Sequence, residues 1–515
     1  MVANQRLSRV FAGALALSVG LAGCTYVPFD PPPPASRAAP PAQVGNVAKV
    51  NRDLRRDVPG KSVFVPMADG NDALAARLRL IEDAQETLDL QYFLGKPDQA
   101  GALIGLKLLE AAERGVRVRL LLDDVFTTST DTQLAVLDNH PNLELRIFNP
   151  MSRRSPTVVN YLLDFGRVNR RMHNKLFIAD GGAAIIGGRN IADEYYQLDT
   201  SSEFADFDMF VAGPSVAAMS EAFDLFWNDA WSVPVNRLNV RVTEEELTEA
   251  RRAFERRAAT AEAGIYRKAM QAPILRELRE GKRFLSFGHA KLVTDPPDKL
   301  RVRVTDGERT TSDALFNLMG NAREEVILYT PYFVPQDYGT DFFERLAATG
   351  VKVRVVTNSL AATNHAYVHG GYTPYRKRLA AAGVELYEVR YDAPTILGEV
   401  PPESPIRLTM HTKAAVVDRR YVFVGSLNFD PRSIKVNTEV GMFIDDPVSG
   451  ARFAKAFDEG IDDYTYQVEL DEKGNLRWRY TGAGRNELYT REPDASFFAR
   501  FLAGAARFLP VEGQL

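Results

Sequence analysis

The chain contains 515 residues, of which 45% are hydrophobic and 25% are charged. These proportions are typical of a folded globular protein and exclude a multi-span membrane protein or a disordered chain. The formal net charge of −4 provides no general positive field, so we expect no nucleic-acid partner in the absence of a local basic patch. The length is sufficient for two domains of about 200 residues each, with terminal segments left over.

Residues 1–23 have the features of a secretory signal peptide. Arg6 and Arg9 precede an apolar run at 10–21, which is too short to span a bilayer as a mature helix. The segment ends in Leu-Ala-Gly-Cys24, which resembles a bacterial lipobox and implies cleavage before Cys24 and acylation of this residue. We therefore expect a protein that is lipid-anchored in the bacterial cell envelope, on the periplasmic side. The alternative is an uncleaved signal anchor with a chance cysteine.

Cys24 is the only cysteine, so neither an intramolecular disulfide nor a cysteine metal cluster can form. The residues that follow it, 24–45, are rich in proline, alanine and serine. Proline fixes the backbone and lacks an N–H donor, so this composition predicts neither helix nor sheet. We expect an extended tether between the lipid and the enzyme.

The remainder of the chain repeats one order of predicted elements. In each half a strand, a helix and a second strand are followed by another short strand. The predicted strands lie at 86–93, 115–122 and 143–148 in the first half, and at 325–333, 350–356 and 384–388 in the second. Such alternation buries strands between helical layers, so we predict an α/β fold with two sandwich domains, at 46–242 and 301–470.

Two further segments lie outside these predicted domains. Residues 243–300 begin with a stretch dense in glutamate, arginine and alanine, with apolar residues at helical spacing, and are predicted to be a helical insertion. The C-terminal extension, 471–515, ends in a segment whose helix would present a broad apolar face. This face is suited either to docking on the body of the protein or to lying at a lipid interface.

One pattern occurs once in each half with identical spacing. A histidine is followed after two residues by lysine, after seven by aspartate and after seventeen by asparagine. The aspartates are part of this catalytic pattern, but we expect them to tie the ends of their strands to neighbouring loops. The two copies are His173, Lys175, Asp180 and Asn190, and His411, Lys413, Asp418 and Asn428.

The paired pattern provides the groups that phosphodiester chemistry needs. Side chains two residues apart on a strand share a face, so each histidine is expected beside its lysine. One imidazole can attack phosphorus while the other protonates the leaving oxygen, and Lys175 and Lys413 can stabilise charge on the phosphoryl oxygens. No metal or other cofactor is required, and a lysine beside each histidine disfavours a metal ion.

A structural origin is the alternative for this pattern. A single His-x-Lys pair on a strand is usually surface decoration. The chain has only six histidines, however, and two of them occupy equivalent places with lysine, aspartate and asparagine in register. This coincidence favours a catalytic site formed jointly by the two halves.

The duplicated pattern resembles the phospholipase D superfamily and, within it, bacterial cardiolipin synthases of the C type. The resemblance covers the chain from about residue 63 to its end. The stretches that carry it, besides the paired motif, are 170–175, 187–191, 357–362, 368–372, 375–377, 384–388 and 425–433. The resemblance implies two phospholipase D-like domains that form one active site at their interface.

The resemblance also implies a mechanism. One histidine attacks a phospholipid, phosphatidylglycerol or phosphatidylethanolamine, and expels its head group. The glycerol hydroxyl of phosphatidylglycerol then resolves the phosphatidyl-histidine to give cardiolipin, whereas water would give phosphatidic acid. Analogy with the family favours His173 as nucleophile and His411 as general acid and base, although the residues themselves do not separate the two.

The family pattern assigns further residues to the site. Asn190 and Asn428 are expected to donate hydrogen bonds to phosphate. An acidic residue downstream of each motif is expected to hold its histidine in the reactive tautomer. Counting back from the apolar strands at 209–211 and 442–444 gives Asp206 and Glu439 for this task.

Two other groups of side chains fit a lipid substrate. Arginines precede the first motif and would meet anionic head groups, with simple solvation as an equal alternative. Aromatic residues at the ends of predicted strands would line an acyl or glycerol channel, with core packing as an equal alternative. These groups are Arg153, Arg154, Arg167, Arg170 and Arg171, and Tyr92, Phe93, Tyr329, Tyr332 and Phe333.

Three functions remain compatible with the sequence. The first is the phosphatidyltransferase, with phospholipids as substrates and the membrane surface as partner. The second is a hydrolase that uses the same residues, either a phospholipase D or a nuclease. The third is a non-enzymatic lipid-binding lipoprotein, which the intact Lys175 and Lys413 disfavour because a decayed site has no reason to keep both.

Overall fold

A computed structural model of the protein describes residues 26–58, 60–125, 127–199, 201–238, 242–302, 310–401 and 403–506. The predicted signal peptide and Cys24 lie outside the described residues.

The strands of the first half are β1 (Ser62–Met67), β2 (Thr87–Tyr92), β3 (Arg117–Asp123), β4 (Leu143–Phe148), β5 (Leu176–Ala179), β6 (Ala183–Gly187), β7 (Ser202–Ala205), β8 (Asp208–Ala212) and β9 (Ser232–Pro234). Those of the second half are β10 (Ser286–Thr294), β11 (Glu325–Tyr329), β12 (Lys352–Asn358), β13 (Glu385–Val389), β14 (Arg407–Met410), β15 (Ala414–Val417), β16 (Tyr421–Gly425), β17 (Val440–Asp445), β18 (Thr465–Leu470), β19 (Leu476–Tyr480) and β20 (Glu487–Tyr489).

The helices of the first half and the insertion are α1 (Asn46–Leu54), α2 (Gly70–Asp83), α3 (Gln99–Glu113), α4 (Asp131–Asp138), α5 (Thr157–Leu163), α6 (Phe165–Val168), α7 (Ser215–Trp227), α8 (Glu244–Ala261), α9 (Arg267–Met270) and α10 (Pro273–Arg279). Those of the second half are α11 (Thr311–Gly320), α12 (Gln336–Ala348), α13 (Ala366–Tyr372), α14 (Arg376–Ala381), α15 (Ala393–Ile396), α16 (Pro431–Lys435), α17 (Pro447–Tyr464) and α18 (Phe497–Ala506).

Eighteen of the strands form one continuous sheet. Their hydrogen-bonded order is β9-β4-β3-β2-β5-β6-β8-β1-β10-β17-β16-β15-β11-β12-β13-β18-β19-β20. Read outward from the central β1–β10 pair, both halves show the same succession of strands. The predicted α/β fold with an internal duplication is confirmed, and the two sheets are joined at their edges.

Apolar side chains are buried on the strands of both halves, as expected for strands covered by helices. Each half has its own core, and a further cluster joins the two. This joint cluster contains Phe64 and Trp227 from the first half and Val422 and Met442 from the second. The halves are therefore one packed body, which fixes their relative position around any site at their interface.

The boundaries of the predicted insertion need correction. Helices α8, α9 and α10 occupy most of it, but its last part forms strand β10. Because β10 pairs with β1 on one side and β17 on the other, it is the seam of the sheet and belongs to the core architecture. Likewise, the first part of the predicted C-terminal extension forms β19 and β20, which continue the sheet beyond β18.

The proline-rich segment does not act as a free tether over its described part. Residues 26–45 contain no helix or strand, as predicted, but they lie along the first half. Ser36 accepts a hydrogen bond from the Trp227 indole (2.9 Å), and the Pro34 carbonyl accepts one from Arg146 (3.0 Å). Composition predicted the extended backbone, but not that its free carbonyls would meet buried arginine and tryptophan donors.

Candidate active site

Two short cross-half pairings bring the predicted half-sites together. Strand β7 of the first half pairs in parallel with β14 of the second, with Ala205 opposite Met410. An isolated bridge joins Met172 to Thr438 in the same way. Asp206 and His411 directly follow the residues of the first pairing, and His173 and Glu439 directly follow those of the second. Each histidine therefore meets an acid from the other half.

The histidines do not lie within regular strands, contrary to the prediction. They occupy the connecting segments just before β5 and β15. The backbone N–H of His173 donates to the Thr438 carbonyl (2.9 Å), and that of His411 donates to the Ala205 carbonyl (2.7 Å). Just before β5 and β15, the backbone of each histidine is thus hydrogen-bonded to the opposite half of the molecule and not to a neighbouring strand of its own half.

Each imidazole is held through its Nδ1 atom. In His173 this atom lies 2.8 Å from Oε2 of Glu439, and in His411 it lies 2.6 Å from Oδ2 of Asp206. An Nδ1–H that donates to a carboxylate leaves the lone pair on Nε2, the tautomer that a nucleophile or base at Nε2 requires. Asp206 and Glu439, the two acids predicted from their positions before the apolar strands, therefore contact the histidines. Each contacts the histidine of the other half.

Aromatic rings fix the orientation of both imidazoles. Phe93 meets His173 edge-on, with ring centroids 4.8 Å apart. Phe204 stacks on His411 and Tyr195 meets it edge-on, at 5.4 and 5.3 Å. These contacts explain Phe93, which was predicted as a channel or core residue, whereas Phe204 and Tyr195 carried no signal in the sequence.

Two of the other aromatic candidates belong to the interior. Tyr92 accepts a hydrogen bond from buried Arg77, and Phe333 packs on Phe343 and Phe429. Core packing, one of the two predicted alternatives, accounts for these two residues. Tyr329 and Tyr332 are only half-buried, so core packing alone does not account for them.

Both lysines are buried beside their own histidines. Lys175 donates to the His173 carbonyl (2.6 Å), and Lys413 donates to the His411 carbonyl (2.5 Å). Burial lowers the pKa of Lys175 to about 7, with Lys413 adding to the effect, and burial lowers the pKa of Lys413 to about 8. The Lys413 charge acts on Lys175, and the Lys175 charge acts on His411, as expected if the two motif copies lie close together.

The same environment keeps the histidines neutral. Burial and the charges of Lys175 and Lys413 place the pKa of His173 well below its ordinary value. Burial and Lys413 lower the pKa of His411 to about 3. A neutral imidazole retains the lone pair that attack on phosphorus requires.

The two acids differ in their surroundings. Burial raises the pKa of Glu439 to about 7, and its Oε2 accepts a hydrogen bond from the Ser426 hydroxyl (2.5 Å). Burial opposes ionisation of Asp206 too, but His411 and Lys413 overcome it, so the pKa of Asp206 lies below its ordinary value. Asp206 is therefore the acid that favours a cationic partner.

A glycine in the first copy matches the serine in the second for a steric reason. A Cβ atom on Gly188 would lie only 2.2 Å from Oδ1 of Asp206. The short aspartate thus packs directly on the glycine backbone. The longer Glu439 instead reaches a serine hydroxyl at the equivalent place, Ser426.

The two motif asparagines are buried near the histidines. Oδ1 of Asn190 and of Asn428 has no hydrogen-bond partner among the described residues. The Asn190 amide donates to Tyr195 (2.9 Å), which in turn contacts the ring of His411. Buried amide oxygens without partners are rare, and each of these two can accept a hydrogen bond from an N–H or O–H group of a bound molecule, whereas contact with phosphate oxygens would use the amide N–H groups.

Asp180 and Asp418 have another task. The Asp180 carboxylate accepts backbone N–H bonds from residues 85–87, and Asp418 accepts the equivalent bonds from residues 323–325. These loops lead into β2 and β11. Both aspartates were grouped with the catalytic residues because they belong to the motif. Their carboxylates instead hold loops in place, which is the structural task that we expected for them.

Arg432, a cation beside the site, lies in a stretch of the sequence where the two motif copies differ. The charge of Arg432 acts on His173, and the Arg432 guanidinium donates to Asn169 at the end of α6 (2.9 Å). Buried Arg171 bonds Asp123 (3.2 Å), while its Nε and Nη2 atoms have no hydrogen-bond partner among the described residues. Arg432 lies in the Asp-Pro-Arg-Ser stretch that only the second copy has, and this asymmetry was its signal.

A family model described as cardiolipin synthase, phospholipase D-like domain, matches the chain twice, at residues 78–227 and 315–461. The chain belongs to this family. The matches coincide with the two halves of the sheet, so the duplication and the resemblance found in the sequence are both confirmed.

Relatives within the family align over most of the chain. Cardiolipin synthase C of Escherichia coli strain K12 is 36% identical over 459 residues, which cover 88% of this chain and 96% of that protein. The major cardiolipin synthase of Bacillus subtilis strain 168 is 24% identical over 77% of this chain and 68% of its own length. The crystal structure of phosphatidylserine synthase from Haemophilus influenzae Rd KW20 superposes with a TM-score of 0.56 at 12% identity, covering 90% of this chain and 100% of that one. This structural likeness supports the fold.

Within the described ranges, no helix is long and apolar enough to cross a bilayer. Within the same ranges, no group of three or more histidine, cysteine, aspartate or glutamate side chains is arranged to hold a metal ion.

Proposed function

We propose that the protein is a phosphatidyltransferase that makes cardiolipin through a phosphatidyl-histidine intermediate. The observation that carries this proposal is the crossed arrangement of the site. Two neutral imidazoles are each held at Nδ1 by an acid of the opposite half, beside two buried lysines. Such a site offers a nucleophile, a proton carrier and cationic groups for one phosphodiester.

In the first step Nε2 of His173 attacks phosphorus. The new P–N bond forms as the P–O bond to the head-group alcohol breaks, and His411 gives its proton to the departing oxygen. The bound anionic phosphate and ionised Asp206 stabilise the imidazolium of His411 that this step needs. This asymmetry between the two acids supports His411 as the acid and His173 as the nucleophile.

In the second step His411 takes the proton from the glycerol hydroxyl of phosphatidylglycerol. The resulting oxygen attacks phosphorus and the P–N bond breaks, which releases cardiolipin and restores His173. Lys175, Lys413, Asn190 and Asn428 bind the non-bridging oxygens through both steps.

Reconstitution with defined lipids tests the reaction. The purified chain is mixed with phosphatidylglycerol alone, or with phosphatidylglycerol and phosphatidylethanolamine, and the products are identified by lipid mass spectrometry. We expect cardiolipin, with release of glycerol or ethanolamine. Phosphatidic acid as sole product would replace the proposal with a phospholipase D, and cleavage of DNA would replace it with a nuclease.

We also propose that acylated Cys24 attaches the enzyme to the membrane of the bacterial cell envelope, on the periplasmic side. Tyr26, two residues after Cys24, lies against the Arg154 guanidinium (4.2 Å to the ring centroid). The anchor would therefore hold the body of the enzyme close to the bilayer. Mass spectrometry of the mature amino terminus tests this, and an unmodified Cys24 in membrane-extracted protein would contradict it.

A further inference from the structure

Helices α5 and α6 present apolar side chains to solvent. Val158 is 62% exposed, Leu162 is 76% exposed, Leu163 is 45% exposed and Phe165 is 49% exposed. Val158 and Leu162 are four residues apart, so they share one helix face. Single exposed apolar residues are normal, but four within eight positions concentrate apolar surface on one segment, which we call the first patch.

Helix α18 presents a second apolar face. It packs on α13 through small residues, and a Cβ atom on Gly370 of α13 would lie 2.4 Å from the Ala503 carbonyl oxygen. The opposite face carries Phe497, Phe498 and Phe501, which are 85%, 65% and 60% exposed. The predicted docking of this segment is therefore seen on one side of the helix, and the other side is exposed, as the lipid-interface alternative requires.

The first patch, on α5 and α6, adjoins the active site. Asn169 directly follows α6 and accepts hydrogen bonds from the Arg432 guanidinium. Arg432 in turn acts on His173.

The second patch reaches the active site through α13. Exposed Tyr367 of α13 contacts the ring of His365 (5.5 Å), which contacts Tyr332 (5.6 Å). Phe333, the residue after Tyr332, forms an isolated bridge with Phe429, which follows the motif residue Asn428. The two patches therefore adjoin the active site from different sides, one from each half of the molecule.

Cations accompany both patches. Arg154 and Arg170 stand beside α5 and α6, and Arg500 lies on α18 between its exposed phenylalanines. Within the part of the chain that the structure describes, none of these three has a carboxylate partner. Arg170 donates to the carbonyls of Gly166 and Lys299, and Arg500 to that of Glu492. Of the predicted head-group arginines, Arg153, Arg167 and Arg171 instead pair with aspartates.

We propose that the apolar faces of α5–α6 and of α18 are a two-part membrane-contact surface that seats the active site on an anionic phospholipid bilayer. Apolar side chains enter the boundary between head groups and acyl chains, and adjacent arginines meet anionic head groups. Patches on two sides of the active site suit a phosphodiester at the bilayer surface, which must reach the histidines without leaving the membrane. This inference deepens the proposed function, since it states how the substrate is presented.

Hydrogen–deuterium exchange of the full chain tests the surface without reference to catalysis. The chain is compared with and without vesicles of phosphatidylglycerol and phosphatidylethanolamine. We expect slower exchange in 157–168 and 497–506, and unchanged exchange in 447–452 and 487–489. No protection in either patch would overturn the proposal. Protection that grows with protein concentration in the absence of vesicles would also overturn it, in favour of contact between copies of the chain.

Kinetics of two matched double variants complete the test. We expect Leu162→Glu with Phe165→Glu to lower the rate on vesicles at least about tenfold, and to leave the rate on monomeric short-chain phospholipids nearly unchanged. Val448→Glu with Leu488→Glu is the control, because both residues are exposed (61% and 52%) on other surfaces. An equal loss on both substrates, or an equal effect of the control, would contradict the proposal. If the chain proves inactive on every lipid, the proposed function fails while the exchange result still decides the surface.

Discussion

The two half-sites use the same chemistry with different supports. His173 contacts a glutamate that also binds the Ser426 hydroxyl, whereas His411 contacts an aspartate packed on Gly188. The Asp206 side chain is one methylene shorter than that of Glu439, so its carboxylate lies directly against residue 188, where a Cβ atom would occupy the same space. The difference between glycine and serine in the two copies is therefore a consequence of the lengths of the two acids.

This steric relation predicts unequal effects of two alanine substitutions. In Gly188→Ala the new Cβ would displace the Asp206 carboxylate, so His411 loses its orienting partner and kcat falls by about 10- to 100-fold. Ser426→Ala removes one hydrogen bond to Glu439 and leaves its space, so the loss is smaller. Steady-state kinetics with both purified variants measures this. Equal losses, or an unaffected Gly188→Ala, would contradict the role of the glycine.

The lysine pKa values predict an alkaline limb in the pH dependence of kcat/KM. The pKa of Lys175 is about 7 and that of Lys413 about 8. As the pH rises through these values the free enzyme loses both ammonium charges, and with them the attraction for the phosphate oxygens, so kcat/KM falls. His411, whose pKa is about 3, is already deprotonated in the free enzyme over this range and therefore adds no inflection to the profile. The profile between pH 6 and 9 checks the prediction, and a flat or rising profile would contradict it.

Strands β2 and β11, which carry no motif residue, are held in place through hydrogen bonds from the backbone of their preceding loops to two motif aspartates. Asp180 and Asp418 both have positive φ, 49° and 52°, and both anchor the loop before a central strand. Aspartate and asparagine tolerate this backbone region because their side chains bond locally. The repeated aspartate of the motif thus preserves the geometry of β2 and β11, the strands that pair with β5 and β15 directly after the histidine–lysine segments.

Asp180→Ala is expected to lower the free energy of unfolding by about 2–4 kcal/mol, since three backbone N–H groups, that of buried Thr87 among them, lose a charged acceptor. Asp418→Ala should cost less, because its carboxylate and its partners are more exposed. Asp180→Asn keeps one acceptor oxygen and should fall between wild type and Asp180→Ala. Denaturant unfolding measures all three, and kcat per folded molecule should stay close to wild type. A stable but inactive Asp180→Ala would show that the residue acts in the chemistry.

The strands and the motif were predicted from the sequence more completely than the long-range contacts that their residues make. Spacing found the paired motif and repeated strands found the duplicated α/β fold, because both signals are local. The acid for each histidine was found by position, but its crossing to the other half was not visible, since the contacts join residues 266 and 205 positions apart. The docking of 26–45 was missed for a similar reason. Its bonds to Arg146 and Trp227 depend on side chains brought together only by the fold.

At the scale of the whole molecule, one chain completes one site. The central β1–β10 pair joins the two sheets, and the crossed pairings place an acid of each half on the histidine of the other. Neither half contains a histidine together with its orienting acid. The proposed mechanism therefore requires both halves in their packed arrangement, which the joint apolar cluster maintains.

This architecture predicts the behaviour of mixed inactive variants. His173→Ala and His411→Ala should each lose nearly all turnover, because one lacks the proposed nucleophile and the other the proposed proton carrier, while both keep the wild-type circular dichroism spectrum. An equimolar mixture should remain inactive, since a chain with its two halves packed against each other cannot borrow a histidine from another. Recovery of activity on mixing would mean that halves of different chains pair into one site, and substantial activity of either variant alone would reject the shared-site mechanism. Cardiolipin formation from phosphatidylglycerol is the readout, with the wild-type chain diluted into each variant as the control for inhibition.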